Sequence, residues 1–289
     1  MEAARDGART DARDGARGVS DPRLALALSL AREAGRQAVA SLGAVTSVWK
    51  RPGERLTRVD IDIQSRMLQA IQARFPHDGI VAEESGGRLG TDREFVWALD
   101  PLDGTNNFVL GIPCFAISIG VLRAAEPHIG VVHDPNTGLM VHARRGSGAF
   151  SAERRLHVTS RALDHASNVC VRAPVSDRLR APVSGWLARH KLRAFGSVAL
   201  HLAYAALGAI DLVVDDRATL WDVAAGAAIL LEADGFITTP DGAPLFPVDL
   251  ARQHGAPMPF AAGNAAAHAE AIATLANGLS DGAVPGART

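Results

Sequence analysis

The order in which apolar patterns change along the chain limits its fold most strongly. Residues 24–42 and 60–75 repeat apolar side chains at helical spacing, which predicts two amphipathic helices. After Pro113 the pattern changes to short alternating strands separated by turns, which predicts an antiparallel meander. Strand and helix patterns then alternate over residues 167–276. The fold class predicted from these patterns is mixed α/β.

Composition indicates a globular protein with a single compact body. Of the 289 residues, 47% are apolar and 21% are charged, which is enough apolar material for a substantial core. Because no Pro-rich or Ser-rich linker divides the chain, we expect residues 23–276 to pack as one unit. Residues 1–22 and 277–289 are rich in Ala, Arg, Gly and Asp, and we expect them to be disordered tails.

Charge and cysteine content exclude several classes of partner. With 30 Lys and Arg against 31 Asp and Glu, the chain has no net field that would attract nucleic acid. Residues 1–22 contain no apolar stretch suited to a signal sequence or a membrane span. The two cysteines, Cys114 and Cys170, lie in apolar runs typical of buried thiols. We therefore expect a cytoplasmic protein without a membrane or nucleic-acid partner.

A pair of carboxylates in residues 97–108 is the clearest sign of chemistry. Asp100 and Asp103 follow an apolar strand pattern, in a turn that Pro101 stiffens and Gly104 permits. Carboxylates placed in this way can converge on one point, and oxygen ligands are those that Mg²⁺ prefers. The residues from Gly104 onward can open a helical turn whose free N–H groups suit a phosphate oxygen. Taken alone, however, the same residues could form an Asx turn with a helix cap.

Two further acidic segments occur at strand or helix boundaries. Glu83 and Glu84 end an apolar strand pattern, and Asp222 precedes a helix of small residues. A solvated turn would explain the first segment, and a helix cap would explain the second. The turn at residues 146–149 could bind phosphate, although a tight hairpin is the simpler interpretation.

Together the three acidic segments resemble the inositol monophosphatase family. That family has a G-E-E-S-like turn, then D-P-[IL]-D-G-T-x-N-F, then W-D-x-A-A-G, and this chain has the corresponding segments in that order at Glu83, Asp100 and Trp221. The resemblance extends over residues 24–276. It implies an α/β/α/β/α sandwich with the metal site between a half that ends near residue 160 and a second half. It also implies a homodimer.

The resemblance assigns roles to individual residues of this chain. It implies two or three Mg²⁺ ions held by the carboxylates of Glu83, Asp100, Asp103 and Asp222 and by the Leu102 carbonyl. The catalytic residues that it implies are Asp60, Glu83 and Thr105, where Asp60 orients Thr105 to position the attacking water. The substrate contacts that it implies are Asp103, Gly104, Thr105, Ser197, Asp215 and Asp222.

The implied activity is hydrolysis of a small phosphate monoester by a water that the ions activate. Inositol monophosphate is the substrate expected first. Histidinol phosphate, fructose 1,6-bisphosphate and 3'-phosphoadenosine nucleotides are alternatives on the same metal core, and a catalytically silent protein that binds a phosphorylated ligand is an alternative of another class.

The chain also departs from the family pattern at three places. Where the family often has E-A-G-G, this chain has Glu232-Ala233-Asp234-Gly235. Asp215 stands where the family commonly has Glu, and the residues after it match no single substrate class. The basic residue expected before Asp60 could be Lys50 or Arg51.

Overall fold

The computed structural model describes residues 21–84, 88–253 and 255–280. Its helices are α1 (Pro22–Ser41), α2 (Arg58–Arg74), α3 (Thr105–Val109), α4 (Asp177–Arg189), α5 (Val198–Ala206), α6 (Leu220–Glu232) and α7 (Ala265–Ser280). Its strands are β1 (Ser47–Arg51), β2 (Glu54–Thr57), β3 (Gly79–Ala82), β4 (Arg88–Leu89), β5 (Phe95–Asp103), β6 (Ala116–Arg123), β7 (Glu126–Asp134), β8 (Leu139–Arg144), β9 (Gly148–Ser151), β10 (Arg154–Arg155), β11 (Asn168–Val171), β12 (Lys191–Arg193), β13 (Leu212–Asp215), β14 (Phe236–Thr238) and β15 (Phe260–Gly263).

The strands form two large sheets and one hairpin. The larger sheet has the order β10-β9-β8-β7-β6-β5-β3-β4, and only β3 and β5 pair in parallel within it. Strands β6, β7 and β8 form the predicted antiparallel meander, and β9 and β10, which the sequence pattern did not indicate, extend it. The smaller sheet has the order β12-β11-β13-β15-β14. Strands β1 and β2 pair only with each other.

The helices and sheets alternate in five layers, which confirms the α/β/α/β/α sandwich. Helices α1 and α2 cover one face of the larger sheet, α5 and α6 fill the space between the two sheets, and α4 and α7 cover the outer face of the smaller sheet. Strand β13 illustrates the pattern, because Val213 packs in the central layer while Leu212 and Val214 pack against the outer helices. Neighbouring side chains of a strand point to opposite faces, so both faces of these strands are apolar.

Helix α6 lies unusually close to the larger sheet because two glycines face it. A Cβ atom on Gly120 would lie 2.8 Å from the Cβ of Ala224, and one on Gly130 would lie 2.2 Å from the carbonyl oxygen of Ala225. Either side chain would push the helix away, since packed interiors leave no free space at such distances. This close approach places the first turn of α6 beside the end of β5.

The boundaries of several elements differ from the sequence predictions. Helix α1 begins at Pro22, capped by Asp21, and α7 continues to Ser280, so the ends of both predicted tails belong to helices. The rest of the tails, residues 1–20 and 281–289, lies outside the described residues. The β1–β2 hairpin was not predicted, because its short polar strands carry little apolar periodicity. Within the described ranges, no helix has both the length and the apolar character needed to cross a membrane.

The start of α1 is fastened to the sheet by one arginine. The guanidinium of Arg23 donates to both oxygens of the buried Asp78 carboxylate at 2.7 and 2.8 Å. Its Cζ atom lies 3.8 Å from the ring centre of Phe95, a cation–π distance. Asp78 also accepts a hydrogen bond of 2.9 Å from Nε1 of Trp97.

We expect Arg23→Met to lower the free energy of unfolding by about 2 kcal/mol, because it leaves a buried carboxylate without its charged partner. Arg58→Met is the matched control. Arg58 also pairs with an aspartate, Asp62, at 2.8 Å, but both side chains are exposed and the loss should stay below about 0.5 kcal/mol. Urea unfolding of both variants measures the difference. Equal effects would show that the Arg23 pair is no stronger than a surface pair.

Candidate active site

Three of the predicted metal ligands converge in one buried cluster. Asp100 and Asp103 lie at the end of β5, and Asp222 lies in the first turn of α6. Each offers a carboxylate oxygen, and these oxygens lie within 4.8 Å of one another. All three side chains belong to buried residues. Two segments more than 100 residues apart in sequence thus meet in one acidic cluster.

The end of β5 has an irregular geometry that turns both carboxylates to the same side. A turn was predicted at Asp100, but the strand continues to Asp103, and its pairing with β6 shifts register between these two residues. A bulge of this kind changes the normal alternation of side chains. Asp100 also accepts a hydrogen bond of 2.9 Å from the Leu102 backbone N–H, which fixes its orientation. The predicted convergence is confirmed, and a bulge produces it.

Gly104 separates the strand from α3. Its φ of 101° is in the left-handed region, and a Cβ there would lie 3.1 Å from the carbonyl oxygen of Cys114. The chain can therefore turn at once from Asp103 into the helix that begins at Thr105. This confirms the predicted helical turn after the acidic pair.

Asp103 is held from the opposite half of the chain. Its Oδ2 accepts hydrogen bonds from the Ser197 hydroxyl at 2.7 Å and from the Ala199 backbone N–H at 2.6 Å. Ser197 is the N-cap of α5, and it accepts a further hydrogen bond from the Leu200 N–H. Ser197 was predicted to contact substrate, and it borders the cleft, but its described hydrogen bonds are to Asp103 and α5.

The electrostatics of the cluster suit a hard cation. Burial raises the pKa of Asp100, Asp103 and Asp222 above the ordinary carboxyl range, and Coulombic repulsion from neighbouring acidic groups raises each further. One contact of 3.3 Å from Arg172 to Asp222 offsets only part of this repulsion. Mg²⁺ or a similar ion takes oxygen ligands, and its positive charge would neutralise buried carboxylates that repel one another. These residues therefore fit the predicted metal.

Glu83 lies beside the cluster, where it is paired with a lysine. Its Oε1 is 2.9 Å from Nζ of Lys50, and the same Nζ is 2.5 Å from the buried carboxylate of Glu84. Burial raises the pKa of Glu84 to about 7. The amide side chain of Gln64 exchanges two hydrogen bonds with the backbone of Glu84, which fixes this turn. The structure places Lys50, one of the two basic residues considered, near the acids.

Asp60 and Thr105 form a second polar group next to the cluster. The Thr105 hydroxyl lies 3.1 Å from Oδ1 of Asp60 and 3.0 Å from the Leu102 carbonyl oxygen. Asp60 accepts hydrogen bonds from the hydroxyl and the backbone N–H of Thr57, although burial still raises its pKa. Because the Thr105 hydroxyl proton points to an acceptor, the hydroxyl oxygen can accept a hydrogen bond from a water.

Asp215 does not reach the cleft that was predicted to hold its substrate contact. The side chain is fully buried, and its carboxylate accepts hydrogen bonds from Nε of Arg172 at 2.8 Å and from two backbone N–H groups. Arg172 covers it and borders the cleft instead. Sequence reasoning missed Arg172. The available signal was a charged residue directly after an apolar strand, the same signal that identified Asp100.

The cleft opens between the two halves of the chain. One side consists of the β1–β2 hairpin and the start of α3, and the other consists of the loops after β11 and β13. Its floor is the acidic cluster. The cleft is bordered by Gly53, Arg55, Glu83, Asp100, Asp103, Gly104, Thr105, Asn106, Arg172, Ser197, Arg217 and Asp222, among others. Seven of the predicted site residues, including Leu102, thus share one surface with Glu83.

The alternative phosphate site at residues 146–149 is filled by the protein itself. The carboxylate of Glu232 accepts hydrogen bonds of 2.7 Å from the backbone N–H groups of Gly146 and Gly148. An acidic side chain therefore takes the position that a phosphate would need. The interpretation as a tight hairpin is confirmed, since β8 and β9 pair across this turn.

Comparison with known proteins agrees with this geometry. The model of the inositol monophosphatase family matches residues 20–279. The chain is 35% identical over 224 residues to the fructose-1,6-bisphosphatase/inositol-1-monophosphatase of Thermotoga maritima, covering 75% of this chain and 84% of the relative. It is 33% identical to the inositol-1-monophosphatase of Mesorhizobium japonicum, covering 73% of this chain and 83% of that relative.

A solved structure also shares the fold. The extragenic suppressor protein SuhB of Bartonella henselae superposes with a TM-score of 0.80 at 29% identity, over 88% of this chain and 98% of that protein. Sequence, fold and the acidic cluster therefore agree. This chain belongs to the inositol monophosphatase family and is a phosphomonoesterase.

Proposed function

We propose that this enzyme hydrolyses the phosphate monoester of a small polyol with the help of Mg²⁺, and that inositol monophosphate is a substrate. The observation that carries the proposal is the buried cluster of Asp100, Asp103 and Asp222 beside the Asp60–Thr105 pair. Two relatives whose names include inositol-1-monophosphatase support the choice of substrate. The proposal extends to two or three ions, with Glu83 and the Leu102 carbonyl as further ligands.

Each residue near the cluster has a role in this proposal. Bound Mg²⁺ would supply positive charge for the phosphoryl oxygens and lower the pKa of the attacking water. Thr105, which donates to Asp60, accepts a hydrogen bond from that water and so orients it for in-line attack. The backbone N–H groups of Gly104 and Thr105 bind phosphate oxygens at the start of α3. Ser197 keeps the Asp103 carboxylate aimed at the site.

The same cleft could serve other small phosphate esters, including histidinol phosphate, fructose 1,6-bisphosphate and 3'-phosphoadenosine 5'-phosphate. A relative named for both fructose-1,6-bisphosphatase and inositol-1-monophosphatase activity favours the second of these as a further substrate. A homodimer in the cytoplasm completes the proposal, supported by the family resemblance and by the free thiols of Cys114 and Cys170.

Phosphate release by the purified protein tests this function. Inositol 1-phosphate and the three other esters are each supplied with Mg²⁺ or with EDTA. We expect release from inositol 1-phosphate that depends on Mg²⁺ and falls to background with EDTA. Isothermal titration on the same samples measures binding. Binding of the ester in Mg²⁺ without any hydrolysis would contradict the proposal and would favour a catalytically silent binding protein.

A further inference from the structure

We propose that Arg172 and Arg217 form a subsite for a second oxyanion on the substrate, in addition to the phosphate that is cleaved. The inference rests on the proposed function and adds that, among small polyol phosphates, the enzyme prefers those that carry another phosphate or a carboxylate. Neither arginine belongs to the motifs that define the acidic cluster, and both border the cleft.

The topology of the smaller sheet brings the two arginines together. Strands β11 and β13 are parallel neighbours, with Val171 opposite Val214. The segments that follow these two strands therefore leave the sheet at the same edge, which is the edge that faces the cleft. Arg172 follows the first strand directly, and Arg217 lies two residues after the second. A hydrogen bond from Nη2 of Arg217 to the Pro174 carbonyl joins the two loops.

Because Asp215 is buried, the substrate meets the positive charge of Arg172 at this part of the cleft instead of the negative charge of a carboxylate. The acid is fully buried behind Arg172, and its oxygens already accept hydrogen bonds from Nε of Arg172 and from the backbone N–H groups of Arg217 and Ala218. A guanidinium therefore borders the cleft where the sequence predicted a carboxylate. This position is suited to a hydrogen-bond acceptor, and an anion is the strongest such partner.

Both guanidinium groups retain donors for a ligand. Arg172 uses Nε for Asp215 and Nη2 for Asp222, and none of the described residues accepts a hydrogen bond from its Nη1. The Arg217 side chain is 41% exposed, and Nε lies 3.8 Å from an oxygen of Asp216, which is beyond hydrogen-bond distance. Planar guanidinium groups match the oxygen spacing of carboxylate and phosphate.

The pair of Arg172 and Arg217 is separate from the proposed position of the cleaved phosphate. That phosphate is assigned to the backbone N–H groups at the start of α3, whereas the two arginines belong to the loops that follow β11 and β13. Arg172 adjoins Asp222, with a distance of 3.3 Å between Nη2 and Oδ2, so the subsite begins next to the cluster. Arg217 continues it outward. A substituent on the polyol, a short distance from the ester, would meet these donors.

Two matched pairs of esters test the subsite. Fructose 1,6-bisphosphate is compared with fructose 1-phosphate, and 2-phosphoglycerate is compared with glycerol 2-phosphate, by initial rates of phosphate release with Mg²⁺. We expect kcat/KM to be about tenfold higher or more for the member with the second oxyanion. A preference within the first pair alone identifies a phosphate subsite, and a preference within the second pair alone identifies a carboxylate subsite.

The variant Arg217→Gln should remove the preference by raising KM for the doubly charged esters about tenfold, while the rates for fructose 1-phosphate and glycerol 2-phosphate stay unchanged. Arg189→Gln is the control, since this arginine lies on α4 and donates to the Gly185 carbonyl of its own helix. Arg217 is preferred to Arg172 for substitution because it does not contact the acidic cluster.

Three results would overturn the inference. Equal kcat/KM within both pairs in the wild-type enzyme would exclude a second oxyanion subsite. An equal loss for all four esters in Arg217→Gln would show that the arginine acts on the cleaved phosphate or on the fold. If phosphate is released neither from these four esters nor from inositol 1-phosphate, the proposed function is overturned together with the subsite. The first two results, in contrast, leave the phosphatase activity in place.

Discussion

Asp103→Asn is expected to lower kcat/KM by about 1,000-fold or more, equivalent to about 4 kcal/mol of transition-state stabilisation. The carboxylate belongs to the buried cluster, and the amide would remove one of the charges proposed to hold the cations. An Asn side chain can still accept hydrogen bonds from Ser197 and the Ala199 N–H, so the fold should survive. Steady-state phosphate release measures the loss.

The stability of this variant separates a catalytic defect from a folding defect. Removing one of several like charges from a buried site relieves repulsion, so the metal-free Asp103→Asn protein should have a Tm equal to or above that of the wild type. Asp62→Asn, at an exposed position of α2, should leave both activity and Tm unchanged. Retention of more than about a tenth of the activity in Asp103→Asn would show that this carboxylate is not a required ligand.

The second large effect concerns stability, which should depend on Mg²⁺ and on pH together. A ligand that binds only the folded state, supplied at 100 times its Kd, stabilises by about 2.7 kcal/mol. For a protein of this size each kcal/mol raises Tm by about 2–4 °C. We therefore expect saturating Mg²⁺ at pH 8 to raise Tm by about 5–10 °C relative to EDTA, measured by scanning calorimetry.

The pH dependence follows from the direction of the pKa shifts. Burial raises the pKa of Asp222 to about 8, whereas an exposed aspartate titrates near pH 4. The folded state then binds more protons than the unfolded state, so the contribution of this group to stability is lost as pH rises from about 4 to about 8. Mg²⁺ requires the deprotonated form, so the rise in Tm that it causes should be larger at pH 8 than at pH 5.5.

Variants identify the source of this effect. In Asp222→Asn the metal-free Tm should fall less between pH 5.5 and pH 8 than in the wild type, and the rise caused by Mg²⁺ should shrink. A rise in Tm that is the same at both pH values, or that persists in full in Asp222→Asn, would contradict a cation site at the cluster.

Much of the fold and of the acidic cluster could be predicted from the sequence because the signals are local. Apolar periodicity identified the helices and the meander. Acids after an apolar strand identified Asp100 and Asp103, and an acid at the start of a helix of small residues identified Asp222. The residues of the D-P-L-D-G-T segment favour the observed turn by themselves, because the glycine that allows the turn lies next to the acids that it orients. The β1–β2 hairpin escaped prediction because its strands are short and polar, so its position depends on contacts such as the hydrogen bond from Asn106 to the Gly53 carbonyl.

The sequence by itself therefore determined the class of the fold, the family and the acids that converge. Only the tertiary structure decided which charge each acid meets. Asp215 and Asp222 are both acids at element boundaries, yet one is covered by Arg172 and the other reaches the cluster. The physical reason is that burial and charge pairing depend on parallel strands and helix ends that are distant in sequence, and no local pattern records which side chains those elements bring together.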